Sequence, residues 1–139
     1  MKTFPLYIVS QEKELISTEV DSVTIPTTKG EITVLYKHRP LFARVKTGHL
    51  VYRLGQEETS VVVSDGFINV TPDGEVRVMV DSGVLARNIS LEKAQAAIQA
   101  AKETMEKTSN QRELMMAEAS LRQAMMEVKV AQKTKKAKI

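Results

Sequence analysis

Up to about residue 86, apolar and polar positions alternate with a period of two, and turn residues recur every 8–12 positions. This is the pattern of short strands with one face on a core. Leu6 and Ile8 alternate with Tyr7 and Val9, and Val23 and Ile25 with Ser22 and Thr24 before Pro26. Ile32 to Leu35 is a short apolar run; Val45 closes another segment ahead of Lys46-Thr47-Gly48, and Leu50 to Leu54 resumes. Val61-Val62-Val63 is apolar at every position and predicts a strand buried on both faces. Val76, Val78 and Val80 alternate with Arg77, Met79 and Asp81, after a Pro72-Asp73-Gly74 turn in which Pro presets φ and Gly accepts a positive φ. The expectation is eight or nine strands closing into two packed sheets. No stretch is long enough for a helical crossover between parallel strands, which argues against a doubly wound nucleotide fold.

Beyond Asn88 the period changes. Ser90 is placed to cap a helix, with Glu92 in its first turn. Leu91, Ala94, Ile98, Ala101 and Met105 then recur at spacings of three and four. Thr108-Ser109-Asn110 interrupts, and Asn110 with Glu113 resembles a capping box that starts a second helix. Leu114, Ala117, Leu121, Ala124, Val128 and Ala131 follow in strict alternation of three and four, a narrow seam. Two helices of about 18 and 22 residues with so short a link form an antiparallel hairpin. Its seam is largely alanine, so it buries little area, while Met115, Met116, Met125 and Met126 lie off or beside it. Two readings fit this face: a hairpin packed on the strands, or an arm that re-docks on a partner, since methionine adapts to either surface. The predicted fold is an N-terminal antiparallel β-sandwich, residues 1–87, followed by a C-terminal antiparallel two-helix hairpin, residues 88–139.

Composition divides at the same place. All six glycines and four prolines precede residue 84. Residues 1–88 hold ten Lys/Arg and eleven Asp/Glu, a net −1; residues 89–139 hold ten and six, a net +4. Cysteine is absent, which excludes disulfides and thiolate metal sites. No apolar run approaches the roughly 18 residues of a membrane-spanning helix. The N-terminus carries no signal-peptide pattern, so the chain is expected to face the cytosol.

Candidate chemistry is sparse. His38 lies beside Arg39 and Pro40, His49 follows Gly48, and neither has neighbours at metal-ligand spacing. There is no nucleophile elbow, phosphate-binding loop or dinucleotide fingerprint. Asp65, Asp73 and Asp81 sit at turns or strand ends, where Asp serves backbone geometry. The expectation is therefore no catalytic residue and no metal. The basic end, Lys129, Lys133, Lys135, Lys136 and Lys138, raises nucleic-acid or anionic-membrane binding. No aromatic residue follows Phe67, so bases have no stacking platform there. A solvated helix end is the plainer reading, and no nucleic-acid partner is expected.

One stretch is more specific. Gly30-Glu31-Ile32-Thr33-Val34-Leu35-Tyr36-Lys37-His38-Arg39-Pro40-Leu41 resembles a loop of the epsilon subunit family of the rotary F-type ATP synthase. Lys46-Thr47-Gly48, Ser64-Asp65-Gly66-Phe67 and Val80-Asp81-Ser82 resemble further motifs of that family in order, and the opening strand and Ala-rich hairpin also fit. The resemblance implies a non-catalytic central-stalk subunit on the cytoplasmic face of a bacterial cell membrane, peripheral rather than inserted. Its implied partners are the gamma subunit, the c-ring and the catalytic alpha/beta subunits, whose ATP hydrolysis the hairpin restrains.

The resemblance also assigns residues. It turns the loop with Glu31 and His38 toward the polar loops of the c-ring, with Arg39 beside them; His38 is equally readable as a residue holding local hydrogen bonds. Tyr36-Lys37 replaces the family's commoner Pro-Gly, which implies a differently shaped tip. Many bacterial members bind ATP through an Asp and an Arg opening the first helix. Here Ser90 and Lys93 stand in those places within Ile89-Ser90-Leu91-Glu92-Lys93-Ala94, and Ala100, Gln123 and Glu127 replace downstream arginines, leaving Arg122 one residue off. Ser90 carries no charge, and Lys93 cannot fork two bonds to phosphates as Arg does. The expectation is no resident cofactor, and at most a weak ATP site at Ile89, Ser90, Lys93, Ala94 and Arg122. The seam assigned to the hairpin is Leu91, Ala94, Ile98 and Ala101 against Leu114, Ala117, Leu121, Ala124 and Val128. The alternative to the stalk reading is a free-standing adaptor binding another protein or a nucleic acid.

Overall fold

A computed structural model describes residues 2–137, with side chains through Lys133; Lys138 of the basic end lies outside the described residues, as do the side chains of Lys135 and Lys136. The chain divides into two compact units, Met1–Leu85 and Ala86–Ile139.

The first unit holds ten strands, one or two more than the periodicity suggests. They are β1 Phe4–Val9, β2 Glu14–Val20, β3 Ser22–Thr27, β4 Gly30–Leu35, β5 Leu41–Val45, β6 Gly48–Leu54, β7 Glu57–Val63, β8 Gly66–Val70, β9 Val76–Val80 and β10 Gly83–Leu85. The extra strand is β10, three residues that pair with Val61–Val63 and are too short to show a period. Hydrogen bonding is continuous in the order β10-β7-β6-β3-β5-β8-β9-β1-β2, with β4 on β3. Strand β3 is the corner: Ser22–Thr24 pair with β6, whereas Thr27 pairs with Val45 of β5, so one ladder passes into the next along a single strand. One ladder departs from the antiparallel expectation, because β1 runs parallel to β9 from Leu6↔Val76 to Val9↔Met79. Parallel neighbours need a long connection, and here nearly the whole unit lies between them.

Alternation decides the core. Leu6, Ile8, Val20, Val23, Ile25, Val34, Val45, Leu50, Val61, Val63, Ile68 and Val78 are buried together. Val62 is fully buried as well but lies outside that cluster, as a strand covered on both faces requires. The Pro72-Asp73-Gly74 turn closes β8 onto β9, with Thr71 N–H donating to Glu75 O and Gly74 at φ +92°.

In the second unit a 3-10 turn, Ala86–Asn88, precedes α1, Leu91–Lys107, and α2, Gln111–Ala137. Ser90 caps α1, its Oγ accepting from Lys93 N–H at 3.3 Å. Asn110 caps α2, its Oδ1 accepting from Arg112 and Glu113 N–H at 2.9 and 3.2 Å. The capping box is not completed as expected. Glu113 accepts from the Thr108 hydroxyl, and that hydroxyl takes the Asn110 N–H in its place. Helix α2 runs 27 residues rather than about 22, because no Gly, Pro or cap residue follows Val128 to stop it. Ala94, Ala101, Ala117 and Ala124 are buried along the seam, with Leu91, Ile98, Leu114, Leu121 and Val128 half-buried beside them. Val130, outside the alternating series, is buried too.

Candidate functional site

Three of the four motifs that carry the resemblance are fasteners. Thr47 N–H and Oγ both donate to Asp65 Oδ1, at 2.9 and 3.0 Å, tying the turn before β6 to the turn before β8. Asp81 N–H donates to Asp65 O, and Ser64 and Ser82 are joined backbone to backbone and through both hydroxyls. Gly66 is required by close approach: a Cβ there would run into the backbone of Met79 and Val80. These residues hold loops together and leave little free to react.

The Gly30–Leu41 stretch is different. Gly30 opens β4 at φ +115°, and Glu31 follows it, exposed, opposite Pro26. At the other end of the strand Leu35 is 57% exposed and Tyr36 43%. The bend beyond is hydrogen-bonded: His38 N–H donates to Leu35 O at 3.0 Å, and His38 Nδ1 lies 2.7 Å from Arg39 O. A carbonyl can only accept, so Nδ1 is the donor in this contact. Lys37 adopts φ +64°, a conformation glycine takes freely and lysine does not. The tip thus keeps a glycine-like backbone under Tyr36-Lys37. The Lys2 and Lys37 ammonium groups lie 5.9 and 5.8 Å from the centre of the Tyr36 ring.

The residues singled out for ATP are joined only by the bonds that start α1. Ser90 Oγ is engaged in capping, Ala94 is buried in the seam, Ile89 is half-buried, and Lys93 and Arg122 are exposed. The bonds among them are those of the helix start, Lys93 N–H to Ser90 Oγ and Ala94 N–H to Ser90 O, and no side-chain bond or ion pair joins Lys93 to Arg122 among the described residues. An open groove in the helical unit lies instead at the loop end, lined by Glu103, Lys107, Asn110 and Glu113 among others. No group of three His, Asp or Glu that could hold a metal occurs among the described residues.

The sequence reading passed over one surface. On the outer face of β5, β8, β9 and β1, Phe42 and Phe67 stack with ring centres 5.4 Å apart. Met79 lies directly across from Phe67, and Arg77 stands over Tyr7. Phe42 is 65% exposed, an unusual place for so large an apolar ring. The signal was present in part: among the positions that alternate with the inward side chains of these strands, Phe42, Phe67 and Met79 are apolar where a solvated face calls for polar residues, while Arg44, Asn69 and Arg77 are polar.

Comparison with known proteins agrees with these observations over nearly the whole chain. Residues 3–86 match the family model of the ATP synthase delta/epsilon chain β-sandwich domain, and residues 87–132 match that of its long α-helix domain. The ATP synthase epsilon chain of Dehalococcoides mccartyi is 39% identical over 137 residues, covering 98% of this chain and 97% of the relative. That of Syntrophobacter fumaroxidans is 36% identical over 129 residues, covering 93% and 96%. A chain of the Euglena gracilis mitochondrial ATP synthase shares the fold with a TM-score of 0.74 at 23% identity, covering 91% of this chain and 79% of its own. A β-sandwich fastened by its motif loops and followed by an alanine-seamed hairpin, matched in both parts to one family, means that this chain belongs to the ATP synthase delta/epsilon chain family.

Proposed function

We propose that this chain is a non-catalytic central-stalk subunit of an F-type ATP synthase, joining the gamma subunit to the c-ring and restraining ATP hydrolysis with its two C-terminal helices. The observation that carries the reading is the match of both units, end to end, to relatives that are epsilon chains. The task is gripping, and the surfaces suit it. The sandwich offers two separate exposed features, the apolar face of Phe42, Phe67 and Met79 for a large neighbour such as gamma, and the Leu35–Arg39 tip for the ring. Torque passes through such a body only if it is stiff, and its motif loops are bonded to one another rather than left open. The adaptor alternative has no observation in its favour.

The hairpin suits a regulatory arm. Its seam buries little area, and Met115, Met116 and Met125 are 62%, 65% and 55% exposed, a flexible apolar surface ready for another partner. Its +4 charge favours acidic surfaces on the catalytic subunits. It works without a resident cofactor: Lys93 remains as a point-charge phosphate ligand, with Arg122 one residue off the family's position, so a calorimetric titration with MgATP gives at most weak binding. The chain sits at the cytoplasmic face of the membrane as a peripheral part of the complex; among the described residues no helix is long and apolar enough to cross. Deleting residues 89–139 tests the reading. The remainder still co-elutes with gamma, and the ATPase rate of the assembled complex rises; an unchanged rate at every ATP concentration removes the inhibitory arm.

A further inference from the structure

Sulfur is unevenly distributed in this chain. Cysteine is absent, so seven methionines carry all of it. Five of them lie in the two helices, Met105 in α1 and Met115, Met116, Met125 and Met126 in α2. Met115, Met116 and Met125 are 62%, 65% and 55% exposed, whereas Met105 and Met126 are half-buried. The sandwich differs. Its fully buried side chains are Leu, Ile and Val, and Met79, 39% exposed, is the one methionine among its described residues. Oxidation of a thioether follows access to the sulfur, so the groups an oxidant meets first are gathered on α2. The side chains buried in the helical unit are Ala94, Ala101, Ala117, Ala124 and Val130, none of which carries sulfur. An oxygen added at the exposed methionines therefore changes the surface of the hairpin and leaves its packing alone.

We propose that Met115, Met116 and Met125 are sites of reversible S-oxidation by hydrogen peroxide, and that their sulfoxides weaken the hold of the hairpin on the catalytic subunits. The effect on docking deepens the stalk reading and rests on it. In the reaction a thioether lone pair attacks one oxygen of the peroxide. The O–O bond breaks, an S–O bond forms, and the second oxygen takes the proton of the first and leaves as water. Sulfur gives up two electrons and the peroxide accepts them. Methionine sulfoxide reductase reverses the step with two electrons from a dithiol, releasing the oxygen as water. The sulfoxide turns a flexible apolar side chain into a polar one. In the undocked hairpin all three groups stay hydrated. A partner that covers them removes that water, and each sulfoxide left without a donor lowers affinity by about 10-fold. Oxidation thus weighs on the docked state alone, the condition for shifting an equilibrium between two states.

The test treats the full chain alone with hydrogen peroxide, removes the oxidant, maps the added oxygen by peptide mass spectrometry and then reassembles the complex, so that no other subunit meets peroxide. Met115, Met116 and Met125 should gain oxygen ahead of Met105 and Met126, with the helical circular dichroism unchanged. ATP hydrolysis by the reassembled complex should rise at least halfway to the rate obtained with residues 89–139 deleted, and sulfoxide reductase with dithiothreitol should bring it back. Met115→Leu/Met116→Leu/Met125→Leu keeps apolar side chains without sulfur; measured against its own untreated complex, it should not respond to peroxide, although Met79 is still present. Met115→Gln/Met116→Gln/Met125→Gln, polar from the start, should hydrolyse faster than wild type with no peroxide at all. Oxidation of Met105 or Met126 ahead of the exposed three overturns the sites, as does loss of helix signal in step with oxidation. An unchanged rate after treatment, or an equal response from the leucine variant, overturns the effect on docking. A deletion that does not raise hydrolysis is a separate result: it removes the inhibitory arm itself, while the mapping still decides the sites.

Discussion

In the sandwich the largest fully buried side chains are Leu6, Ile8, Ile25, Leu50 and Ile68; in the hairpin the buried residues are Ala94, Ala101, Ala117 and Ala124, with Val130. Apolar burial stabilises in proportion to area, at roughly 25 cal/mol per Å², so an alanine seam contributes far less than a core of branched side chains. In proteins most helical stability comes from packing an apolar face rather than from helix propensity. Small seam residues let two helices lie close and part again at low cost, whereas the sandwich must break a continuous ladder and a filled core to change shape. The sandwich is held by large buried side chains and the hairpin by small ones.

Three substitutions put that contrast at risk. The largest effect is expected from Ile25→Ala, which opens a cavity in the core and should cost about 2–5 kcal/mol in urea unfolding followed by a strand signal. A loss under about 1 kcal/mol would mean that the filled core does not hold the sandwich. Next is Ala124→Leu, which overpacks the seam at a cost of about 1–3 kcal/mol. Amide exchange should quicken in α1 and α2 and stay slow in the strands; strand amides that quicken alongside would show the two units to be one cooperative body. The smallest is Asn110→Ala, which removes the cap of α2 and should lower helix stability by about 1 kcal/mol, read as faster exchange at Arg112 and Glu113. If this small change loosened the hairpin as much as the seam variant does, capping rather than packing would be its main support.

The candidate residues divide in the same way. Ser90 and Asn110 were readable as caps because capping is local chemistry within three residues. Glu31 and His38 were singled out by resemblance, and the structure adds what the string of letters could not carry, the His38 bonds to Leu35 and Arg39 and the left-handed Lys37. Lys2 lies 34 positions before Tyr36 and was invisible as its neighbour until β1 and β4 were placed. The Phe42–Phe67 stack stayed hidden for the same reason, since its rings come from β5 and β8.

What the sequence by itself determined is every feature set by neighbours along the chain: the period-two strands, the turn at Pro72-Asp73-Gly74, the change to helix after Asn88, the alanine seam and the uneven charge. What only the tertiary structure decided is what depends on which strands meet. That includes the corner at β3, the parallel pairing of β1 with β9, the three-residue β10, the tie from Thr47 to Asp65 and the cations around Tyr36. Periodicity reports which side of a strand faces inward. It carries no information on the partner strand, because backbone hydrogen bonds are the same for every residue and pairing is chosen by the packing of the whole.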